Sequence, residues 1–412
     1  MKSIILSLSI LISISIYAQT NNTIVIGKGD SVYSTILKEN RKIWVHMPDT
    51  TSPDGIFTKQ HYPVVYLLDG DENNFATVAS MIQAAGGGGG NISFPQMIVV
   101  GIPNTDRTRD LTPTHVNAAP MLDSMPAAHS GGGENFISFI QKELIPHIDF
   151  LYPTAPYRLL IGHSFGGLMA MHILINHTGL FNAFVAIDPS MFWDNRKLLK
   201  QATEVLEKNN LEGHSLFLAV ANTMTKGMDT LQVQKDNNMM SLHIRSILQL
   251  GHCLAANTKN GLSFNWKYYP EYDHGAVPLV AAYDAMRSIF AFYNFNFPYQ
   301  EFFDPAFKAD TILTAHYTIV SKQMGYKVSP PEQMVNGLGY QLMGSKQFGR
   351  AMYFFKMNTD NYPESFNAYD SMGDLYDAMG DKKQAITAYS KALALRDFPD
   401  TRNKLEQLKK RK

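Results

Sequence analysis

The chain has 412 residues, which is long enough for two domains. Hydrophobic residues make up 45% of it and charged residues only 17%, a composition that excludes global disorder. Lys and Arg together number 36, as do Asp and Glu, so no whole-chain charge favours nucleic acid or an acidic membrane, and we expect no nucleic-acid partner.

Residues 1–18 have the pattern of an export signal peptide. Lys2 supplies a positive start, an apolar stretch rich in Ile, Leu and Ser follows, and Ala18 precedes Gln19 at a suitable cleavage point. That stretch is too short to span a membrane and no later one approaches the required length, so we expect no integral membrane segment. The single cysteine, Cys253, excludes an intramolecular disulfide. We therefore expect a periplasmic or secreted protein.

From residue 40 to residue 282, short apolar runs alternate with longer amphipathic segments. This alternation is typical of an α/β domain with a mostly parallel sheet. The predicted strands are Lys42–Met47, Val64–Leu68, Met97–Gly101, Arg158–Ile161, Ala183–Ile187, Leu216–Val220 and Phe264–Tyr269. A helix is predicted from Phe136 to Phe150, where apolar residues recur at helical spacing. The order of the strands within the sheet stays open.

A G-x-S-x-G motif, residues 162–166, lies between the strand that contains Leu159 and a predicted helix that begins near Leu168. Its glycines allow the strand and the helix to cross closely at a sharp turn, which exposes the serine hydroxyl at the carboxyl edge of a sheet. Ser164 is therefore the candidate nucleophile. The alternative is a glycine-rich turn with an incidental serine.

A serine hydroxyl needs a base, which in this arrangement is a histidine that follows in the chain order Ser, acid, His. His274 fits because it comes after the last predicted strand and before a helix that begins near Val277. The alternative for His274 is a loop histidine bonded to a neighbouring carboxylate. His163 lies inside the motif, where we expect its side chain to point away from the nucleophile.

The acid is the least determined member of the site. A carboxylate must fix the imidazole tautomer and stabilise the cation formed during the reaction. Asp229 is favoured because it is the first acidic residue after the penultimate strand. Asp188, which follows the strand after the motif, is the main rival, and Asp236 or a Ser-His dyad also stay open. For each aspartate the alternative is a helix N-cap or a turn.

Two backbone N–H groups are predicted to stabilise the oxyanion that forms when the serine attacks a carbonyl. One belongs to Phe165, and the other belongs to Asp71, in the turn after an early strand, for which an ordinary tight turn is the alternative. This chemistry needs no metal, and the sequence has no zinc, cysteine-pair or calcium motif. We therefore expect no cofactor and no metal, since a metal site would have to be assembled from scattered residues.

Three further residues are candidates for substrate binding. Trp193 and Phe192, just past a predicted strand, could line an acyl or aromatic pocket or could pack in the core. Arg109 is the third candidate, and its alternative is a structural ion pair with Asp110 that shapes a loop over the site.

Beyond Pro305 the sequence predicts helices only, with an internal repeat at an offset of 34 residues. The two matched sets are Leu338, Gly339, Leu342, Ala351, Phe355 and Met372, Gly373, Tyr376, Ala385, Tyr389. These are the packing positions of a tetratricopeptide helix pair. Because two repeats are fewer than the usual three, we expect the segment 311–324 to cap the array or to dock it on the first domain.

The sequence resembles the "putative esterase" (esterase D-like) family of α/β-hydrolases, which includes feruloyl esterases, siderophore esterases and mycolyltransferases. The likeness extends from about Ser31 to Phe292 and rests on segments 41–45, 66–70, 107–113, 132–136, 143–148, 162–167, 188–193 and 273–275. It implies an α/β-hydrolase fold and ester hydrolysis through an acyl-enzyme, with Ser164 as nucleophile and His274 as base.

The predicted organisation is a signal peptide at 1–18, an α/β-hydrolase domain at 19–304 and an all-α tetratricopeptide-like domain at 305–412. We expect a serine esterase that acts through a Ser-His-Asp acyl-enzyme on a carbohydrate-linked feruloyl or acetyl ester or on a siderophore ester. One alternative is an acyltransferase that uses the same acyl-enzyme. The other is an interaction protein, whose tetratricopeptide-like helices bind a protein partner while the hydrolase domain is inert.

Overall fold

The computed structural model describes residues 24–48, 55–58, 60–86, 93–118, 127–257 and 259–411. The predicted signal peptide lies outside these residues. Among the helices within them, none combines the length and the apolar character that crossing a bilayer requires.

Eight strands of the described chain form one sheet in the order β1-β2-β4-β3-β5-β6-β7-β8. Their bounds are β1 Lys28–Ser34, β2 Glu39–His46, β3 Tyr62–Leu68, β4 Ile98–Ile102, β5 Thr154–His163, β6 Ala183–Ile187, β7 Ser215–Ala221 and β8 Ser263–Tyr269. β2 runs antiparallel to β1 and β4, and all other neighbours are parallel. The predicted mostly parallel sheet is confirmed.

Helices connect the strands and cover the sheet. They are α1 Glu72–Ala85, α2 Arg107–Leu111, α3 Gly133–Phe139, α4 Ile145–Leu151, α5 Phe165–Asn176, α6 Trp193–Lys208, α7 Thr230–Gln234, α8 Leu242–Ala256 and α9 Val277–Ile289. A π-helical segment, Ile140–Leu144, joins α3 to α4. The helix predicted for residues 136–150 therefore runs without a break but contains this wider turn.

Alternate residues of β3 enter two different cores. Val64 and Tyr66 pack with α3, α5 and α8 on one face, whereas Val65 and Leu67 pack with α1 and α9 on the other. Every residue of β3 and β4 is buried, as expected for parallel strands that helices cover on both sides. This two-sided burial explains why these strands are continuous apolar runs in the sequence.

The C-terminal part of the described chain is all-helical, as predicted. Its helices are α10 Ala309–Met324, α11 Glu332–Gly344, α12 Phe348–Asn361, α13 Phe366–Ala378, α14 Lys382–Leu395 and α15 Pro399–Lys410. The offset of 34 residues relates the pair α11 and α12 to the pair α13 and α14. A Cβ atom built on Gly339 would lie 2.8 Å from the Phe355 ring, and one on Gly373 would lie 2.5 Å from the Tyr389 ring. Each pair therefore repeats the same close approach of a helix backbone to an aromatic ring.

Helix α10 joins the two parts of the chain. Leu313 and Val320 of α10 lie in the same core as Ala285 and Ile289 of α9. The buried Glu332 at the start of α11 accepts a hydrogen bond from the backbone N–H of Thr58 at 2.9 Å. The predicted boundary at residue 304 thus separates two kinds of secondary structure that share one core.

The close approach at Gly339 is testable with a matched pair of variants in α11. Gly339→Ala is expected to lower the free energy of unfolding by about 1–3 kcal/mol, because the added methyl overpacks against Phe355. Gly337→Ala is the control, since Gly337 is exposed and a Cβ added there would meet no atom of the described residues within 4 Å. This control should gain up to about 1 kcal/mol from helix propensity. Urea denaturation measures both, and equal effects would contradict the packing.

Candidate active site

Ser164 lies at the sharp turn between β5 and α5. Its φ of 58° and ψ of −112° place it in a region that residues other than glycine rarely adopt. Gly162 is required because a Cβ there would lie 2.1 Å from the carbonyl oxygen of Gly166. The N–H of Ser164 donates to the carbonyl of Ile187 at 3.0 Å, and this hydrogen bond ties the turn to β6. The structure thus has the strand, strained turn and helix that the motif predicts.

Asp188, directly after β6, holds two histidines. Its Oδ2 atom accepts a hydrogen bond from Nδ1 of His274 at 2.6 Å and another from Nε2 of His243 at 2.8 Å. Its Oδ1 atom accepts from the backbone N–H of Ala221 at 2.9 Å. The Asp188 side chain is 0% exposed, so these three donors take the place of water.

Burial and hydrogen bonding act on Asp188 in opposite directions. Burial alone would raise the pKa of Asp188, but the hydrogen bonds from His243 and His274 together hold that pKa below its usual value. An ionised carboxylate can only accept hydrogen bonds. Both histidines must therefore turn an N–H toward Asp188, which leaves Nε2 of His274 as the ring nitrogen able to accept a proton.

The structure does not bring Asp229, the acid favoured by the sequence, to His274. The carboxylate of Asp229 caps α7, where it accepts hydrogen bonds from the backbone N–H groups of Leu231 and Gln232 at 2.8 and 2.7 Å. Asp236 is half-buried just beyond α7 and accepts a hydrogen bond from the N–H of Asn238 at 3.1 Å. The expectation for Asp229 is thus corrected: Asp229 lies well beyond the end of β7 at Ala221 and its carboxylate is occupied as the cap of α7, whereas Asp188 directly follows β6.

Ser164 and His274 lie at the same edge of the sheet. The His274 ring centroid is 4.5 Å from that of His163, the residue before the serine. The hydroxyl of Ser164 is 3.3 Å from that of Ser190 and makes no hydrogen bond to His274 within the described residues. Such contacts are often long until substrate binds, and 40% of the His274 side-chain surface is exposed.

His163 does not point away from the site, contrary to the expectation from sequence. Its ring faces His274, and its Nε2 atom is buried without a hydrogen-bond partner among the described residues. Burial and then the neighbouring His274 lower the pKa of His163 to about 4. Because His163 is neutral, it does not repel the positive charge that forms on the neighbouring His274 ring when His274 takes up a proton.

The two predicted oxyanion donors lie where helices begin. Phe165 is the first residue of α5, so its N–H has no acceptor within the helix. Asp71 caps α1, with its carboxylate accepting hydrogen bonds from the N–H groups of Asn73 and Asn74. The turn that contains Asp71 adjoins α5, because a Cβ on Gly166 would lie 3.2 Å from Oδ2 of Asp69. The helix-capping turn is present, and the oxyanion role of both N–H groups stays a prediction.

Trp193 and Phe192 pack in the core beside the site. Trp193 is 2% exposed and Phe192 is 8% exposed. The Trp193 ring contacts the Phe165 ring edge-on at 5.2 Å, and Phe192 contacts the ring of His243 at 5.6 Å. The structure therefore matches the alternative in which Trp193 and Phe192 pack in the core, where they contact the rings of Phe165 and His243.

Arg109 is held in an ion pair, which was its structural alternative. Its guanidinium donates to Asp110 at 2.7 Å and to Glu39 at 2.7 Å. Arg107, two residues earlier, is the arginine beside Ser164, because it donates to both carboxylate oxygens of Asp69 at 2.7 and 3.0 Å and its guanidinium lies 5.2 Å from the centroid of the Phe165 ring. Residues two apart on a helix face different directions, so Arg107 lies beside Phe165 while Arg109 turns to Glu39 and Asp110.

A cavity of about 430 Å³ opens between α1 and α9 at this edge of the sheet. His163 and Asp69 contribute polar groups to its wall, and Leu67, Met81 and Leu279 contribute apolar surface. The cavity therefore adjoins the ring that contacts His274 and has the apolar lining with few polar groups that is typical of small-molecule sites.

A strained serine after β5 and an aspartate–histidine pair drawn from the ends of β6 and β8 define an α/β-hydrolase. The family model described as "Putative esterase" matches residues 34–245. The chain belongs to this family, and the resemblance predicted from its motifs is confirmed.

Curated relatives of the chain include two siderophore esterases. The "Siderophore enterobactin esterase" of Emericella nidulans is 30% identical over 204 residues, which are 46% of this chain and 62% of that protein. The "Ferri-bacillibactin esterase BesA" of Bacillus subtilis is 30% identical over 195 residues, which are 44% of this chain and 65% of that protein. The chain thus spans less than two thirds of the length of each.

Two solved structures share the fold. An IroE-like serine hydrolase from Shewanella oneidensis is 30% identical, with a TM-score of 0.68, over 81% of this chain and 99% of that one. An uncharacterised protein from Capnocytophaga ochracea is 18% identical, with a TM-score of 0.57, over 93% of this chain and 99% of that one. The second likeness concerns fold alone, and its coverage takes in most of the C-terminal helices.

The low pKa of His163 predicts a loss of stability in acid. Between pH 6.5 and about 4 the unfolded chain binds a proton at His163 that the folded protein excludes, so the free energy of unfolding falls as the pH decreases through that window. The expected fall is about 2–3 kcal/mol. Urea denaturation at pH 7 and pH 4.5 measures it.

His163→Gln should flatten this acid dependence. His61→Gln is the control, because His61 is an exposed histidine at the opposite end of β3. If the free energy of unfolding of His163→Gln still falls with acid as in the parent protein, the low pKa of His163 is not its cause.

Proposed function

We propose that the protein is a serine carboxylic-ester hydrolase that uses Ser164, His274 and Asp188. The observation that carries this proposal is the 2.6 Å hydrogen bond between Nδ1 of His274 and the buried Asp188, at the same sheet edge as the strained serine. Membership of the esterase family and the name of the Shewanella oneidensis neighbour support it.

The reaction has two halves in this proposal. The Ser164 hydroxyl attacks the ester carbonyl while Nε2 of His274 accepts its proton, and His274 then protonates the leaving alcohol. In the second half, His274 takes a proton from water, the water attacks the acyl-serine, and the carboxylic acid derived from the ester is released. Asp188 stays ionised, keeps His274 in the required tautomer and stabilises the imidazolium. The N–H groups of Phe165 and Asp71 stabilise the oxyanion in both halves.

His243 is a positioning residue, because it orients Asp188 and does not contact the reacting atoms. It is 6% exposed and donates to the same oxygen of Asp188 as His274 does. With the N–H of Ala221 on the other oxygen, this contact prevents rotation of the carboxylate. The hydrogen bond from His274 to Asp188 thus keeps its orientation when substrate displaces water from the site.

The proposed substrate is a siderophore ester, and the names of the curated relatives support this choice. The cavity of about 430 Å³ next to His163 has room for one acyl arm, while the rest of a larger molecule stays outside. Feruloyl and acetyl esters of polysaccharides are the competing substrates. Export is part of the proposal and rests on the pattern of residues 1–18.

Variants of the serine and of the two aspartates test the mechanism. Ser164→Ala should abolish both p-nitrophenyl acetate hydrolysis and labelling by a fluorophosphonate probe, because it removes the nucleophile. Asp188→Asn should lower kcat by about 10³–10⁴-fold, because it presents the wrong hydrogen-bond partner to His274. Asp229→Asn is the matched control and should keep kcat within about twofold, since a capping change acts on stability.

Circular dichroism establishes that each variant is folded. Labelling that persists in Ser164→Ala would place the nucleophile elsewhere. A large loss of kcat in Asp229→Asn together with a small loss in Asp188→Asn would overturn the assignment of the acid.

A panel of esters tests the substrate. The purified protein should show its highest kcat/KM on a siderophore lactone, with lower values on feruloyl and acetyl-xylan esters, measured by chromatography of the released acids. Ser164→Ala controls for spontaneous hydrolysis. A higher kcat/KM on the feruloyl ester would replace the siderophore proposal and leave the esterase mechanism intact.

A further inference from the structure

Glu134, His172 and His177 form a second cluster of chemically competent side chains. Nε2 of His172 lies 2.7 Å from one carboxylate oxygen of Glu134, and Nε2 of His177 lies 3.1 Å from the other. The candidate ligand atoms of all three residues are within 4.8 Å of one another. His172 is eight residues from Ser164 along α5, which corresponds to roughly 12 Å, so the cluster is separate from the active site.

The end of α5 brings these residues together. On a continuing helix, residues five apart would point in widely different directions. Helix α5 ends at Asn176, and His177 has a φ of −136° and a ψ of 42°, which returns its ring to within 5.8 Å of the His172 ring. Glu134 reaches both rings from the first turn of α3. The fold therefore assembles from scattered residues a group that no sequence motif indicated.

The donor set suits a transition metal. Imidazole nitrogens and a carboxylate oxygen are common ligands of Zn²⁺, and tetrahedral bonds of about 2.0–2.1 Å place neighbouring ligand atoms roughly 3.3 Å apart. The separations of 2.7 and 3.1 Å join the two imidazole nitrogens to different oxygens of Glu134, and the three candidate ligand atoms lie within 4.8 Å of one another. The Glu134 side chain is 58% exposed, so its carboxylate can turn to make the small adjustment.

The surroundings provide space for a further ligand. A cavity of about 430 Å³ is lined by the cluster and also by Asp194, Lys197 and Gln201. A water molecule in this cavity can complete the coordination, as in zinc sites with three protein ligands. The side-chain amide of Asn176 lies 3.0 Å from Nδ1 of His172, and its oxygen accepts a hydrogen bond from Gln201 at 2.6 Å. A half-turn of this amide, with a matching half-turn of the Gln201 amide, presents the oxygen to a proton on Nδ1.

We propose that Glu134, His172 and His177 bind one Zn²⁺ ion that ties the start of α3 to the end of α5. Each imidazole binds the ion through Nε2, so its Nε2 proton moves to Nδ1 or, where the ring carried two protons, is released to water. This site is independent of the proposed ester hydrolysis, since none of its ligands belongs to the Ser164 machinery. The competing arrangement keeps a proton on Nε2 of each imidazole, and the cluster is then hydrogen-bonded only.

Zinc titration of the full chain tests the proposal. After treatment with a chelator and its removal, calorimetry with ZnCl₂ should give one strong site per chain, and Zn²⁺ should raise Tm. His177→Gln should raise the Kd of that site more than about tenfold, because it removes one of three protein ligands. Co²⁺ offered instead of Zn²⁺ should give the visible absorption of a tetrahedral nitrogen and oxygen site, which His177→Gln removes.

The matched control is His274→Gln, since Asp188, His243 and His274 are also close enough to hold an ion. Zinc binding that persists in His274→Gln and is lost in His177→Gln supports the proposal. Binding that is lost in His274→Gln and kept in His177→Gln would place the ion at the active site and overturn it. The absence of a strong site in the parent protein would also overturn it. Circular dichroism of both variants shows that a lost site is not a lost fold.

Discussion

The arrangement of the site depends on the buried carboxylate of Asp188. A charge with no access to water is tolerated only where fixed donors replace its hydration, and Asp188 has donors from three parts of the fold. His243 comes from α8, His274 follows β8, and Ala221 ends β7. The requirement to satisfy one carboxylate therefore fixes α8 and the loop after β8 relative to β6, and the base acquires its position from that requirement.

Strain at the ends of the strands is the second feature of this edge. Asp69, Ser164 and Asp188 directly follow β3, β5 and β6, and their φ values are 52°, 58° and 41°. Backbone strain of this kind persists only where the surrounding structure determines it. Here the ladder continues past the strands, since Ser164 and Asp188 donate to the carbonyls of Ile187 and Ala219 at 3.0 and 2.8 Å. Parallel strands align these turns at one edge, where the nucleophile and its acid can meet.

Local patterns could predict much of this arrangement. Apolar runs indicated the strands because both sheet faces are covered, and the glycine spacing indicated the strained turn because Gly162 has no room for a side chain. The acid could not be chosen in this way, since Asp188 and Asp229 both come after strands, and only the folded structure shows that Asp188 meets His274 while Asp229 caps α7. His243 lies mid-sequence on α8 in no motif, so only the folded structure brings it to Asp188. Docking of the segment 311–324 on the first domain was one of the two alternatives offered by the sequence, but the residues of the shared core could not be named from a repeat found by its offset.

The most direct test of the account is the tautomeric state of the two histidines on Asp188. Long-range ¹H–¹⁵N correlation spectra of the ¹⁵N-labelled protein, recorded at mildly alkaline pH and assigned with His243→Gln and His274→Gln, report which ring nitrogen carries the proton. An ionised Asp188 accepts hydrogen bonds from Nδ1 of His274 and from Nε2 of His243, so the two rings are predicted to be opposite tautomers. His274 should carry its proton on Nδ1 and His243 on Nε2. A His274 ring that carries its proton on Nε2 and none on Nδ1 would contradict the role of Asp188 as the acceptor that orients the base.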